Sequence, residues 1–94
     1  MNELVAERVE RLKSRPFVEL AALPPYRVER VRLGNAQITL TTWKDASDSG
    51  DLRIVVQGYR HVLVGIGMMT AKGFMISSGG SVRELSRSEI LEYI

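Results

Sequence analysis

Cysteine is absent from the 94 residues, which removes disulfide frameworks, thiolate metal sites, redox couples and a cysteine nucleophile together. A small extracellular domain would ordinarily be stapled by disulfides. Histidine occurs once, as His61, so neither a His-His pair nor an ordinary tetrahedral zinc site can be assembled. Long apolar runs are also missing. Beyond the loop at 45–51 the longest charge-free run is Val62 to Ala71, ten residues against the ~20 of a membrane-spanning helix. Residues 1–8 mix charged and apolar side chains without an apolar h-region, so they do not read as a signal peptide. No period of 20 to 50 residues and no low-complexity stretch is present. A single domain over residues 1–94, cytoplasmic, with no membrane partner, metal or other cofactor, is expected.

What is there suits a globular fold: 45% of residues are apolar and 26% charged. A chain this short buries only about 60–65% of the surface its unfolded form exposes, so burial against a partner subunit would add usefully to stability. The net charge of +2 is unevenly spread. Residues 26–44 carry Arg27, Arg30, Arg32 and Lys44 against Glu29, a local +3, while residues 45–52 carry Asp45, Asp48 and Asp51 alone, a local −3. A dedicated nucleic-acid surface would show a stronger excess.

The first 25 residues read as helical. Asn2 is placed to cap a helix that has Glu3 in its first turn, and Leu4, Val5, Val9 and Leu12 fall near one face. With Glu7 and Arg11 as an i,i+4 pair, the spacing predicts an amphipathic helix over about 3–14. Ser14 and Pro16 signal a second start, and Phe17, Val18, Leu20, Ala21 and Leu23 are too apolar to leave in water. Pro24-Pro25 stops this short piece, because neither proline donates a backbone hydrogen bond and each disfavours helix in the residue before it.

From Tyr26 the period changes to two. Residues 27–33 and 36–44 flank Gly34-Asn35, a pair that tolerates the positive φ of a tight hairpin. Ile38 and Leu40 point one way and Gln37, Thr39 and Thr41 the other, so one face is core and one is wet. Trp43 falls on the wet parity, where it covers something unless a bulge re-aims it. Residues 44–51 form a polar loop. Leu52, Ile54 and Val56 then share a parity, Gly58-Tyr59-Arg60 reads as a reversal into a strand over 61–69, and Thr70 to Gly73 as a second reversal into 74–77. Ser78-Gly79-Gly80 turns into a short strand at 82–85, and Ser86 with Glu89 has capping-box spacing ahead of Ile90, Leu91 and Ile94. Reversals this frequent leave no room for parallel crossovers. The expected fold is α+β: one or two N-terminal helices on the face carrying Ile38, Leu40, Ile54 and Val56, an antiparallel meander of four to six strands, and a short C-terminal helix. Curling toward a partial barrel is the alternative.

Candidate chemistry is sparse. Asp45, Ser47, Ser49, Gly50 and Asp51 fit positions 1, 3, 5, 6 and 7 of a calcium loop. Ser47, Ser49 and Val56 stand where such a loop needs carboxylates, so a solvated hairpin loop is the better reading. His61 could serve as a general base if Ser77 or Ser78 approached it across the sheet. Gly65, Gly67 and Gly73 have the wrong spacing for a phosphate loop. On a strand whose other face is Val62, Val64, Ile66 and Met68, Gly65 and Gly67 clear a strip that either packing fills or a groove uses, with Trp43, Tyr59, His61 and Met69 as lining. Met68, Met69 and Met75 suit core filling, and an exposed pair would mark an interface. Arg27, Arg30, Arg32, Arg53 and Arg60, interleaved with Tyr26, Trp43 and Tyr59, make either a protected sheet edge or a platform for single-stranded nucleic acid. Without a catalytic constellation the chain reads as a non-enzymatic binding or protein-interaction module that self-associates. A weak nucleic-acid binder and a small enzyme with a groove near His61 are the alternatives.

Overall fold

The computed structural model describes residues 1–63 and 66–91. Helix α1 (Asn2–Lys13) forms where the apolar spacing places it, burying Val5, Val9 and Leu12. Met1 takes the N-cap position and Asn2 the first helical turn, so the expected asparagine cap is not made. Pro16 caps the single-turn α2 (Phe17–Ala21), whose Leu20 is fully buried. The carbonyls left over at the end of α2 find a partner in the sheet: Lys44 Nζ donates to Ala21 O at 2.8 Å and to Leu23 O at 2.5 Å.

Five strands follow: β1 (Tyr26–Leu33), β2 (Ala36–Ala46), β3 (Leu52–Leu63), β4 (Ile66–Ile76) and β5 (Val82–Glu84). They pair in sequence order and antiparallel throughout, and the sheet does not close on itself. The short α3 (Arg87–Ile90) completes an α+β fold and begins with the capping box read from Ser86 and Glu89. Gly34 (φ +59°) makes the two-residue turn between β1 and β2.

Two expected reversals do not occur. Gly58 lies inside β3, opposite Leu40 and Thr70, and residues 70–73 lie inside β4. The three short strands read from residue 52 to 77 are therefore two long ones, and the total of five lies within the expected four to six. Both glycines are where neighbours come close. A Cβ at Gly58 would stand 2.8 Å from Val5 Cγ2, so this glycine admits α1 to the sheet. A Cβ at Gly73 would overlap the Ile54 carbonyl oxygen and stand 2.9 Å from Leu85 Cδ1. The strand expected over 61–69 is instead the end of β3 and the start of β4, with the connection at 64–65 outside the described residues.

The core lies between the helices and one sheet face, where Val5, Val9, Leu12 and Leu20 meet Ile38, Leu40, Leu52, Ile54, Val56, Phe74 and Ile76. The helices cover only part of that face. Twelve residues of α1 span about 18 Å, whereas the twelve of β3 span about 40 Å and set the 43 Å long axis of the molecule. With Gly58 under Met1 and Val5, the register places Arg60 and Met68 beyond the N-terminal end of α1.

Candidate functional site

The strand register assigns every candidate to a face. Trp43, Tyr59, His61, Gly67 and Met69 all lie on the face turned away from α1, joined there by Tyr26, Val28, Arg30 and Arg32 of β1. Gly65 lies outside the described residues. Contacts tie the rest into a row. Tyr26 packs on Trp43 with ring centroids 5.6 Å apart, Trp43 Nε1 donates to Gln57 Oε1 at 3.4 Å, and Gln57 Nε2 lies 3.2 Å from Met69 Sδ. Tyr59 meets His61 edge-on at 4.6 Å, and His61 Nε2 is 3.3 Å from Thr39 Oγ1.

At Gly67 the strip is filled. A Cβ there would overlap Cζ and Oη of Tyr59, so the phenol ring lies across the bare backbone, packing that accounts for a glycine in a strand. No groove opens at that point. The expectation for Trp43 holds without a bulge: it is half-buried on the wet parity and stands directly across the ladder from Val55.

Val55 was missed as a buried residue. It is 0% exposed on the face turned away from α1, and it sits beside the position a Gly73 Cβ would occupy, 3.0 Å away. The signal was present in Ile54-Val55-Val56, because an unbroken apolar run means burial on both faces of a strand. This end of the open face is closed by the chain's own side chains. At the other end, Met68 is 61% and Met69 41% exposed, on opposite faces of β4.

The remaining candidates separate. Ser77 follows the end of β4, ten residues from Gly67, the partner of His61, so roughly 33 Å of extended backbone separates the serine from the histidine's position. The hydroxyl beside His61 is that of Thr39, and among the described residues no carboxylate is hydrogen-bonded to the ring. The turn after β2 closes on itself: Ser47 N donates to Asp51 O at 2.8 Å, Asp51 N donates to Ser47 Oγ at 3.1 Å, and Gly50 has φ +88°. Asp45 is in β2 itself, opposite Arg53. Arg30, Arg32 and Arg53 share the open face with the aromatics, whereas Arg27 and Arg60 are on the helix side.

Two carboxylates have lowered pKa values. Arg83 binds both oxygens of Glu89 at 3.0 Å and Ser86 N donates to it at 2.9 Å, which brings Glu89 down to about 2. Lys13 Nζ, 2.8 Å from Glu84, lowers that carboxylate in the same way and is itself raised. Both pairs fasten secondary elements: Lys13–Glu84 on the helix side, and Arg83–Glu89 at the β5 edge, where Arg83 shares the open-face parity with Met75 and Arg53. Comparison with protein-family models, curated proteins and solved structures finds no match to this chain.

Proposed function

We propose that the chain is a single-domain, non-enzymatic binding module that pairs with a second copy of itself through the open sheet face and the projecting end of β3 and β4. The observation that carries this reading is Met69, 41% exposed on the open face at the one end of the sheet that α1 does not reach, with Met68 exposed beside it on the other face of the same projecting end. Val28 and Tyr26, 51% and 59% exposed, extend the apolar surface to β1. The 43 and 24 Å extents of the molecule outline about 1,000 Å², the same order as the ~800 Å² per partner of a standard stable interface. Two such faces stacked would make the aligned sandwich that half-covered sheets commonly form.

Light scattering on the eluting protein tests this. A dimer at tens of micromolar that becomes a monomer in the Met68→Lys, Met69→Lys variant supports the reading; a wild-type monomer at high micromolar concentration refutes it. One observation favours nucleic acid as a second reading, namely that Arg30, Arg32 and Arg53 share a face with Tyr26, Trp43 and Tyr59. In that case the wild-type monomer retains a single-stranded oligonucleotide on a filter, and retention falls steeply between low and moderate salt.

A further inference from the structure

A cleft of about 220 Å³ opens on the helix side of the sheet, far from Met68 and Met69, where the C-terminal half of α1 meets β1 and the segment after α2. Its walls carry Arg8, Arg11 and Arg15 from one side of α1 and the turn after it, and Arg27 from β1. Glu29 is the single acidic residue in the lining, Leu12, Leu23 and Pro24 form the apolar part, and Thr42 adds a hydroxyl.

The four guanidinium groups are unequally satisfied. Arg8 is held by Glu29, and Arg11 by Glu7 at 2.5 Å. Arg15 and Arg27 have no ion-pair partner among the described residues. Arg11 lies in the last turn of α1, where a cation offsets the helix dipole, but that role cannot apply to Arg27, which comes from a different element. Repulsion between neighbouring cations disfavours their gathering in one cleft unless an anion enters it. Guanidinium forks match the oxygens of a phosphoryl group two at a time. The volume is below the ~300–1,000 Å³ of pockets for drug-sized ligands, which limits the buried part to one or two phosphoryl groups.

We infer that this cleft is a phosphoryl-binding site in which Arg15 and Arg27 make the direct contacts and Arg8, braced by Glu29, fixes the back wall. A free phosphorylated small molecule and a polynucleotide backbone offer the same chemistry. The isotope-labelled full chain, in phosphate-free buffer, is titrated separately with inorganic pyrophosphate and with a short oligothymidylate, followed by backbone amide and arginine side-chain shifts. Pyrophosphate is expected to give saturable shifts centred on Arg15, Leu23, Arg27 and Thr42. Arg15→Gln with Arg27→Gln, both exposed and therefore compatible with folding, weakens binding at least about tenfold. Arg87→Gln, an exposed arginine of α3 outside the cleft, leaves it unchanged. Tighter saturable binding of the oligonucleotide at the same residues identifies a polynucleotide as the source, and a response to pyrophosphate alone identifies a small ligand. Non-saturating shifts spread over all arginines, or undiminished binding by the Arg15, Arg27 variant, overturn the inference.

Discussion

Gly67 and Gly73 provide a comparison in which nominal overlap and energetic cost should point in opposite directions. At Gly67 a Cβ would overlap Cζ and Oη of Tyr59, and at Gly73 the Ile54 carbonyl oxygen, with Leu85 Cδ1 and Val55 Cγ2 at 2.9 and 3.0 Å. Tyr59 is half-buried, its clashing atoms are the far end of a flexible side chain, and its ring can swing toward solvent. In Gly67→Ala the lost cross-strand contact, about 0.2–1 kcal/mol, is offset by the ~0.5–1 kcal/mol gained by replacing a strand glycine. A net change within about 0.5 kcal/mol is expected. Gly73 offers no such escape. The clashing oxygen belongs to the backbone of the adjacent strand, and Leu85, buried beside it, donates its N–H to Gly73 O at 3.0 Å. Gly73→Ala must displace β3, or β5 with Leu85, an overpacking cost of about 2–3 kcal/mol. For a domain of this size that lowers Tm by roughly 10–20 °C. Both variants are measured by thermal and urea unfolding, with the Tyr59 ring resonances followed in Gly67→Ala. A Gly67→Ala variant that loses more stability than Gly73→Ala would refute the assignment of the first glycine to a movable ring and the second to fixed backbone.

Three further outcomes follow from the contacts described. Lys44→Met removes the cation that holds the Ala21 and Leu23 carbonyls and should cost about 1–2 kcal/mol, with amide exchange in residues 17–23 accelerated before that of the sheet; unchanged exchange there would count against this capping role. Val55→Thr keeps the shape but places a hydroxyl where the open face is sealed, at about 1–3 kcal/mol; a neutral result would mean that water reaches this position. Glu89 titrates near 2 in the folded chain and near 4.5 when unfolded, so its contribution to the α3 cap is full above about pH 4.5 and is lost as the pH falls through 2. Carbon-detected titration of the carboxyl checks this, and a midpoint near 4.5 would show that the Arg83 and Ser86 contacts are not kept in solution.

Features set by neighbouring residues were legible in the sequence. The stripe Val5, Val9 and Leu12, the alternation around Ile38 and Leu40, the Gly34-Asn35 turn and the Ser86 capping box are each contained within a few positions of chain. Features that depend on distant partners were not. Gly58 and Gly73 carry the same local signal as turn glycines, and only the approach of Val5 in one case, and of Ile54 and Leu85 in the other, distinguishes them. For the candidate site, Trp43, Tyr59, His61 and Met69, read in the sequence as the lining of a groove, share one face through the ladder register, in which side chains alternate with a period of two. The filling of Gly67 by Tyr59 depends on a cross-strand diagonal, and hence on a hairpin register that the misplaced reversals concealed. The arginine cleft joins residues 8, 11 and 15 to residue 27 across an interface that no local pattern encodes.

The strict sequence order of the strands also governs how the chain assembles. Every strand pair joins neighbours in sequence, yet α1 rests chiefly on β3 and β4, whose last residue is made about sixty positions after the helix. At ~5–20 residues per second that is an interval of several seconds during synthesis, in which Val5, Val9 and Leu12 have no docking surface. The helix is made first and docks late, so the sheet must form before its own cover, with both of its faces wet until α1 arrives.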